Sequence, residues 1–179
     1  ENYPQQVVHC NMNLLGTHDT PRILTWLVDD FEGSREEYSK RHISRNRLDL
    51  AYERLMMASF IQYMLPGSPS LYYGDEAGME GHKDPFNRRT YPWGKEDVEM
   101  LGHFRMLGNL RKEYPELGDQ PVVFFRYDGG CLGFSRGTLR FYINNSQGDW
   151  EIPGGKVLMG HKMSRRVIHS LGWCVVEEA

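Results

Sequence analysis

An α/β segment followed by an all-β one is the fold class this sequence predicts, and three observations predict it. Up to about Leu117, short apolar runs alternate with stretches of helical periodicity in the order strand, helix, strand, helix, the grammar of an α/β layer. Beyond Leu117, β-prone runs recur with turn signals about every ten residues, the texture of a small antiparallel β-sandwich. No internal repeat or low-complexity tract competes with this division. The change of texture falls at residues 114–119, which assigns 1–116 to the α/β part and 117–179 to the sandwich.

Each element has its own justification. Residues 7–15 end in the compact apolar stretch Met12-Asn13-Leu14-Leu15, predicting a buried strand that stops at Gly16 and delivers polar side chains at its C-terminal end. Pro21 suits the first turn of a short helix with Thr20 as N-cap and Ile23, Leu24 and Leu27 as its apolar stripe. From 46 to 65, Leu48, Ala51, Leu55, Ala58, Phe60, Ile61 and Leu65 recur at helical spacing until Pro66-Gly67. Residues 70–73 then read as a short strand, 75–95 as a loop rich in glycine and charge, and 98–114 as a second long helix that Pro115 stops. In the second half, strands are predicted over 122–127, 131–135, 139–144, 150–152, 156–159 and 173–177.

Composition bounds the function. The 179 residues carry 21 Lys+Arg against 24 Asp+Glu, a net charge of −3, which gives no global field for nucleic acid. The local basic group Lys40, Arg41, Arg45 and Arg47 reads as a solvated face. No apolar run approaches the ~20 residues that span a bilayer, and mean hydropathy is −0.59, so a membrane protein is not expected. With 40% hydrophobic residues, the chain has enough apolar side chain for a core. Three dispersed cysteines and the absence of a basic-then-apolar leader point to a reducing compartment, the cytoplasm. The seven histidines include no HExxH and no compact His/Cys cluster, so neither a metal nor a cofactor is expected.

Two places concentrate chemistry. Asn13-Leu14-Leu15-Gly16-Thr17-His18-Asp19-Thr20-Pro21-Arg22 puts a histidine, a carboxylate and an arginine just past a strand end, where ligands bind in parallel sheets. From the cluster alone, Asp19 serves equally well as a helix cap paired with Arg22. The second place is Gly67-Ser68-Pro69-Ser70-Leu71-Tyr72-Tyr73-Gly74-Asp75-Glu76-Ala77-Gly78-Met79. Adjacent carboxylates on a strand face opposite ways, so Asp75 and Glu76 do not form an acid/base pair, and Glu76 is read as bonding loop backbone.

Taken in order, these segments resemble the C-terminal part of an α-amylase-superfamily glycoside hydrolase, most closely the cyclomaltodextrinase, neopullulanase and maltogenic amylase group. Residues 13–22 resemble the family motif at the end of the seventh strand of its (β/α)8 TIM barrel, and 67–79 resemble the eighth-strand motif. Asp84-Pro85-Phe86-Asn87-Arg88-Arg89-Thr90-Tyr91-Pro92-Trp93 looks like the loop that follows in this group, and the remainder like the C-terminal β-sandwich. The resemblance implies that Asp19 is the carboxylate that stabilises the transition state, His18 a neighbouring sugar donor, and Asp84 and Arg88 contacts to glucose units farther from the scissile bond. Arg22, Tyr73 and Glu76 take structural roles near the site.

The resemblance also implies what the chain does not carry. Retaining hydrolysis needs a nucleophile and an acid/base with carboxyl groups about 5 Å apart. In the family these lie on the fourth and fifth barrel strands, and nothing here matches their motifs. The expectation is a fragment of an enzyme for α-1,4 or α-1,6 bonds of maltooligosaccharides, cyclodextrins or pullulan, inactive alone and partnered by a missing N-terminal barrel segment or by self-association. The competing expectation is a non-catalytic carbohydrate-binding or interaction module built on the sandwich, with Tyr127, Trp150 and Trp173 stacking on sugars unless they lie in the core.

Overall fold

A computed structural model describes residues 3–178. These divide into two compact units. One comprises Met12–Tyr63 and Ser68–Lys112; the other gathers, among the described residues, 3–11, Met64–Gly67 and 113–178.

The first unit is a strand–helix–strand arrangement. Strand β1 (Met12–Leu14) pairs in parallel with β2 (Ser68–Ser70), and α4 (Arg45–Met64) joins them. Helix α4 has no internal Gly or Pro over 20 residues, and it sets Ala51, Leu55 and Met56 into a core with Ile23, Leu24, Val28 and Ile43. Met100 and Phe104 of α5 (Val98–Glu113) complete that cluster. Near the end of α4 the buried Gln62 donates to the carbonyls of Asn13 and Ser70, both at 2.9 Å, so one amide ties the helix to both strands.

Several elements differ from the sequence expectation. In place of a buried strand over 7–15, Pro4 (φ −58°) precedes a short helix α1 (Gln5–His9), and β1 spans three residues. Met12 and Leu14 are 63% and 49% exposed, because among the described residues β1 has β2 as its one strand partner. Helix α2 (Ile23–Trp26) starts after Arg22 without a side-chain cap, so neither Thr20 nor Asp19 caps it. The second strand closes at Ser70, and Tyr72 and Tyr73 turn away to flank Arg22. An unexpected helix α3 (Arg35–Lys40) carries a capping box of Ser34 and Glu37.

The second unit is a curled six-stranded antiparallel sheet, the C-terminal β-sandwich part of the fold class. Its strands are β3 (Val123–Asp128), β4 (Cys131–Arg136), β5 (Leu139–Asn144), β6 (Trp150–Glu151), β7 (Lys156–Ser164) and β8 (Val167–Glu177), in the order β3-β4-β5-β8-β6 with β7 also on β8. The last two are longer than the sequence predicts and meet in a tight hairpin at Arg165 (φ 54°). Register shifts between Val157 and Met159 and between His161 and Met163 bend β7 along β8. Tyr142, Ile152, Ile168, Cys174 and Val176 form the core of one face. Asn144, fully buried, locks the end of β5 by donating to the carbonyls of Gly148 (2.8 Å) and Ile168 (2.9 Å) and accepting from Ser146. Among the described residues no helix is long and apolar enough to cross a membrane.

Candidate functional site

The parallel pairing of β1 and β2 decides where the polar loops go. Both strands end at the same side of the pair, so the loop after β1 (15–22) and the loops after β2 (71–78 and 81–93) open together.

Asp19 lies on the first loop with its side chain 74% exposed. Thr17 shapes the turn, accepting the Asp19 N–H at 3.2 Å, while the Thr17 N–H donates to the Thr20 hydroxyl at 3.1 Å. His18 Nε2 stands 3.3 Å from one Asp19 oxygen and Arg88 Nη2 3.7 Å from the other. Arg88 also binds Asp84 through Nε at 2.8 Å. His18, Asp19, Asp84 and Arg88 thus form one exposed cluster of alternating charge, although 65 residues separate Asp19 from Asp84 in sequence. A carboxylate so placed accepts hydroxyl hydrogen bonds, and the histidine and arginine beside it donate them.

A residue that sequence reasoning missed holds this cluster. Asn87 is fully buried, and its Nδ2 donates to the carbonyls of His18 and Thr20, both at 2.7 Å. Arg88 Nε adds a donor to the His18 carbonyl at 3.1 Å. The loop bearing Asp19 is therefore clamped from behind by the loop bearing Asp84. Gly81 makes the approach possible: a Cβ there would lie 2.3 Å from the Phe86 carbonyl oxygen, while its N–H donates to Thr25 Oγ1 at 2.9 Å.

Beneath the cluster sits a buried ion pair. Arg22 is 1% exposed and Asp75 2%, with Nη1 and Oδ1 3.3 Å apart. The guanidinium is sandwiched by Tyr72 and Tyr73, at 4.4 and 4.5 Å from their ring centroids, and donates to the Tyr73 carbonyl. Burial pushes the Asp75 carboxyl up, to about 7, against the pull of Arg22. Gly16 admits this carboxylate, since a Cβ there would come within 2.8 Å of Asp75 Oδ2. Tyr73 donates its hydroxyl to the Arg89 carbonyl at 2.7 Å, and Glu76 accepts the Gly74 N–H at 2.8 Å. Asp75 and Glu76 lie in a turn rather than on a strand, and their surroundings separate them, one buried on Arg22 and the other on loop backbone.

In the sheet unit the aromatic residues divide. Trp173 is 2% exposed and belongs to the core, Trp150 is half-buried beneath Arg126 at 4.6 Å, and Tyr127 is 81% exposed on the edge strand β3. Among the described residues no group of three or more His, Cys, Asp or Glu side chains is arranged to hold a metal ion.

Comparison with known proteins gives a consistent result. No family model matches the chain. It is 43% identical over 136 residues to an amylopullulanase of Thermoanaerobacter thermohydrosulfuricus, a match covering 76% of this chain and 9% of that protein. It is 34% identical over 159 residues to a cyclomaltodextrinase of Geobacillus thermopakistaniensis, covering 84% and 24%. Among solved structures, the type III pullulan hydrolase from Thermococcus kodakarensis superposes with a TM-score of 0.73 at 26% identity, over 97% of this chain and 30% of that one. The chain thus spans about a tenth and about a quarter of the length of these two sequence relatives.

Proposed function

This chain is a C-terminal part of an α-amylase-family enzyme, and from that premise we propose that its loop cluster is one wall of an α-glucan-cleaving site in which Asp19 stabilises the transition state. The observation that carries the reading is the exposed Asp19 carboxylate held between His18 and Arg88, with Arg88 tied to Asp84. As the sugar ring flattens toward an oxocarbenium ion, hydroxyl hydrogen bonds to Asp19 tighten, which lowers the barrier more than it strengthens ground-state binding. His18 donates to the same sugar, while Asp84 and Arg88 hold glucose units farther along.

The nucleophile and the acid/base come from other barrel strands in this reading. The outer edges of β1 and β2, with Met12 and Leu14 exposed, are where such strands pair, supplied by the rest of the protein or by a second chain. Substrates are maltooligosaccharides, cyclodextrins or pullulan, and three free cysteines suit a reducing cytoplasm. The test is product release from β-cyclodextrin, pullulan and maltotriose by the mass-verified 179-residue chain and its Asp19→Asn variant. The reading expects no product from either; product that disappears with Asp19→Asn would place a complete catalytic set within these residues and overturn the division of labour.

A further inference from the structure

Beside the Asp19 loop lies a groove of about 330 Å³, at the lower end of the range of about 300–1,000 Å³ for small-molecule sites. Its walls come from α2, the segment 29–32, Tyr38 of α3, and His82-Lys83. Pro21 and Lys83 are among its lining residues, so the groove draws on the same two chain segments that carry Asp19 and Asp84.

Its aromatic lining is mutually packed. Tyr38 stacks on His82 with centroids 5.3 Å apart, and Phe31 meets Tyr38 edge-on at 5.8 Å and His82 at 6.2 Å. Trp26, also in the wall, is 55% exposed although it sits on a helix whose neighbours Ile23, Leu24 and Thr25 are buried. The polar lining is acidic, with Asp30 and Glu32 exposed at the rim. In the wall itself, His82 is 4% exposed and its Nε2 has no hydrogen-bond partner, the nearest carboxylate oxygen being that of Asp29 at 3.7 Å.

We propose that this groove is a second α-glucan contact, in which a sugar face packs on Trp26 and its hydroxyls donate to Asp30 and Glu32. An apolar ring with acceptors around it matches a pyranose, which has a C–H face and a rim of hydroxyls. A cationic ligand fits less well, because the chain fills the cation positions itself: Arg41 lies 3.9 Å over Phe31 and is held by Asp29 at 2.7 Å, and Lys83 lies 6.0 Å over Tyr38 and 3.5 Å from Glu32. The choice of an α-glucan over other polyols rests on the function proposed above.

The test follows the indole N–H signals of the four tryptophans of the chain during titration with maltohexaose, Trp26 being assigned by Trp26→Leu. The Trp26 signal is expected to move saturably, equally in the Asp19→Asn variant, with Glu32→Gln weakening the response about 3- to 10-fold. A Trp26 signal that stays still while amide signals of His18 and Arg88 move would remove the groove and leave the proposed function standing. Movement of Trp26 that vanishes in Asp19→Asn would make it a secondary consequence of the first site and also remove the groove. Equal movement with cellohexaose would refute the α-glucan assignment, and a Trp26 signal that stays still when no other signal moves would likewise remove the groove, the proposed function being tested separately by cleavage.

Discussion

The side-chain amide of Asn87 donates to the backbone carbonyl of His18 at 2.7 Å, so a fully buried residue on one loop fixes the peptide that leads into Asp19 on another. The same nitrogen reaches the Thr20 carbonyl. Replacing Asn87 by Leu keeps the branched heavy-atom layout in a somewhat larger side chain but leaves the Thr20 carbonyl without this donor, whereas His18 retains Arg88. The expected loss is about 1–3 kcal/mol in urea unfolding, with faster amide exchange over 17–20. Asn87→Asp should be worse than Asn87→Leu, because it turns an acceptor toward two acceptors; the opposite order would mean the clamp is not a hydrogen-bond clamp.

The Arg22–Asp75 pair gives a pH dependence with a definite sign. Because burial pushes the folded carboxyl up to about 7, well above the ordinary aspartate range, its contribution to stability is greatest below about 4 and is lost as pH rises toward 7. Asp75→Asn cannot titrate, so the variant should gain on the parent protein across that window, by a few kcal/mol at most at about 1.4 kcal/mol per pKa unit. Paired thermal melts at pH 5 and pH 8 check this; a parent protein that gains on the variant as pH rises would reverse the account of burial.

Gly81 and Gly102 differ in what an added Cβ would meet. Gly81→Ala would drive a Cβ to 2.3 Å from the Phe86 carbonyl oxygen, and backbone must shift to admit it. That substitution is expected to cost about 2 kcal/mol or more and to loosen the loop carrying Asp84. Gly102→Ala, inside α5 with nothing within 4 Å of the added carbon, should instead stabilise by about 0.5–1 kcal/mol. Chemical denaturation of the two variants side by side reads both signs at once.

In the sheet unit, Asn144→Ala removes donors to the Gly148 and Ile168 carbonyls and the acceptor for Ser146. A loss of about 2–4 kcal/mol is expected, larger than for a β-strand residue of similar size that bonds only to solvent. Near-UV circular dichroism with urea titration measures it.

How far the sequence reached depends on range. Helices α4 and α5 and strands β3 to β5 are legible because their cues are local: unbroken apolar periodicity ended by Pro66-Gly67 or Pro115, and β-prone runs ended by the turn signals Asp128-Gly129-Gly130, Arg136-Gly137 and the polar run from Asn145 to Asp149. Strand β1 was read as buried because Met12 and Leu14 are apolar, yet burial depends on what pairs with a strand, which local pattern does not contain. Helix α3 is short, and its local cue is the Ser34–Glu37 capping box rather than an apolar stripe. Of the site, His18 and Asp19 stand out locally, and Asp84 and Arg88 came through family resemblance. Asn87 had no such signal: its role exists because two loops 67 residues apart meet, and nothing in an isolated Asn announces the carbonyls it will bind.

The most direct test of the role given to Asp19 is steady-state cleavage of β-cyclodextrin by this chain complemented with a separately produced barrel segment carrying the nucleophile and acid/base, with and without Asp19→Asn. The account predicts that the substitution lowers kcat by about 100-fold or more while KM moves only a few-fold, the pattern of an interaction realised in the transition state. An unchanged kcat, or a loss confined to KM, would contradict it and leave Asp19 a ground-state sugar contact.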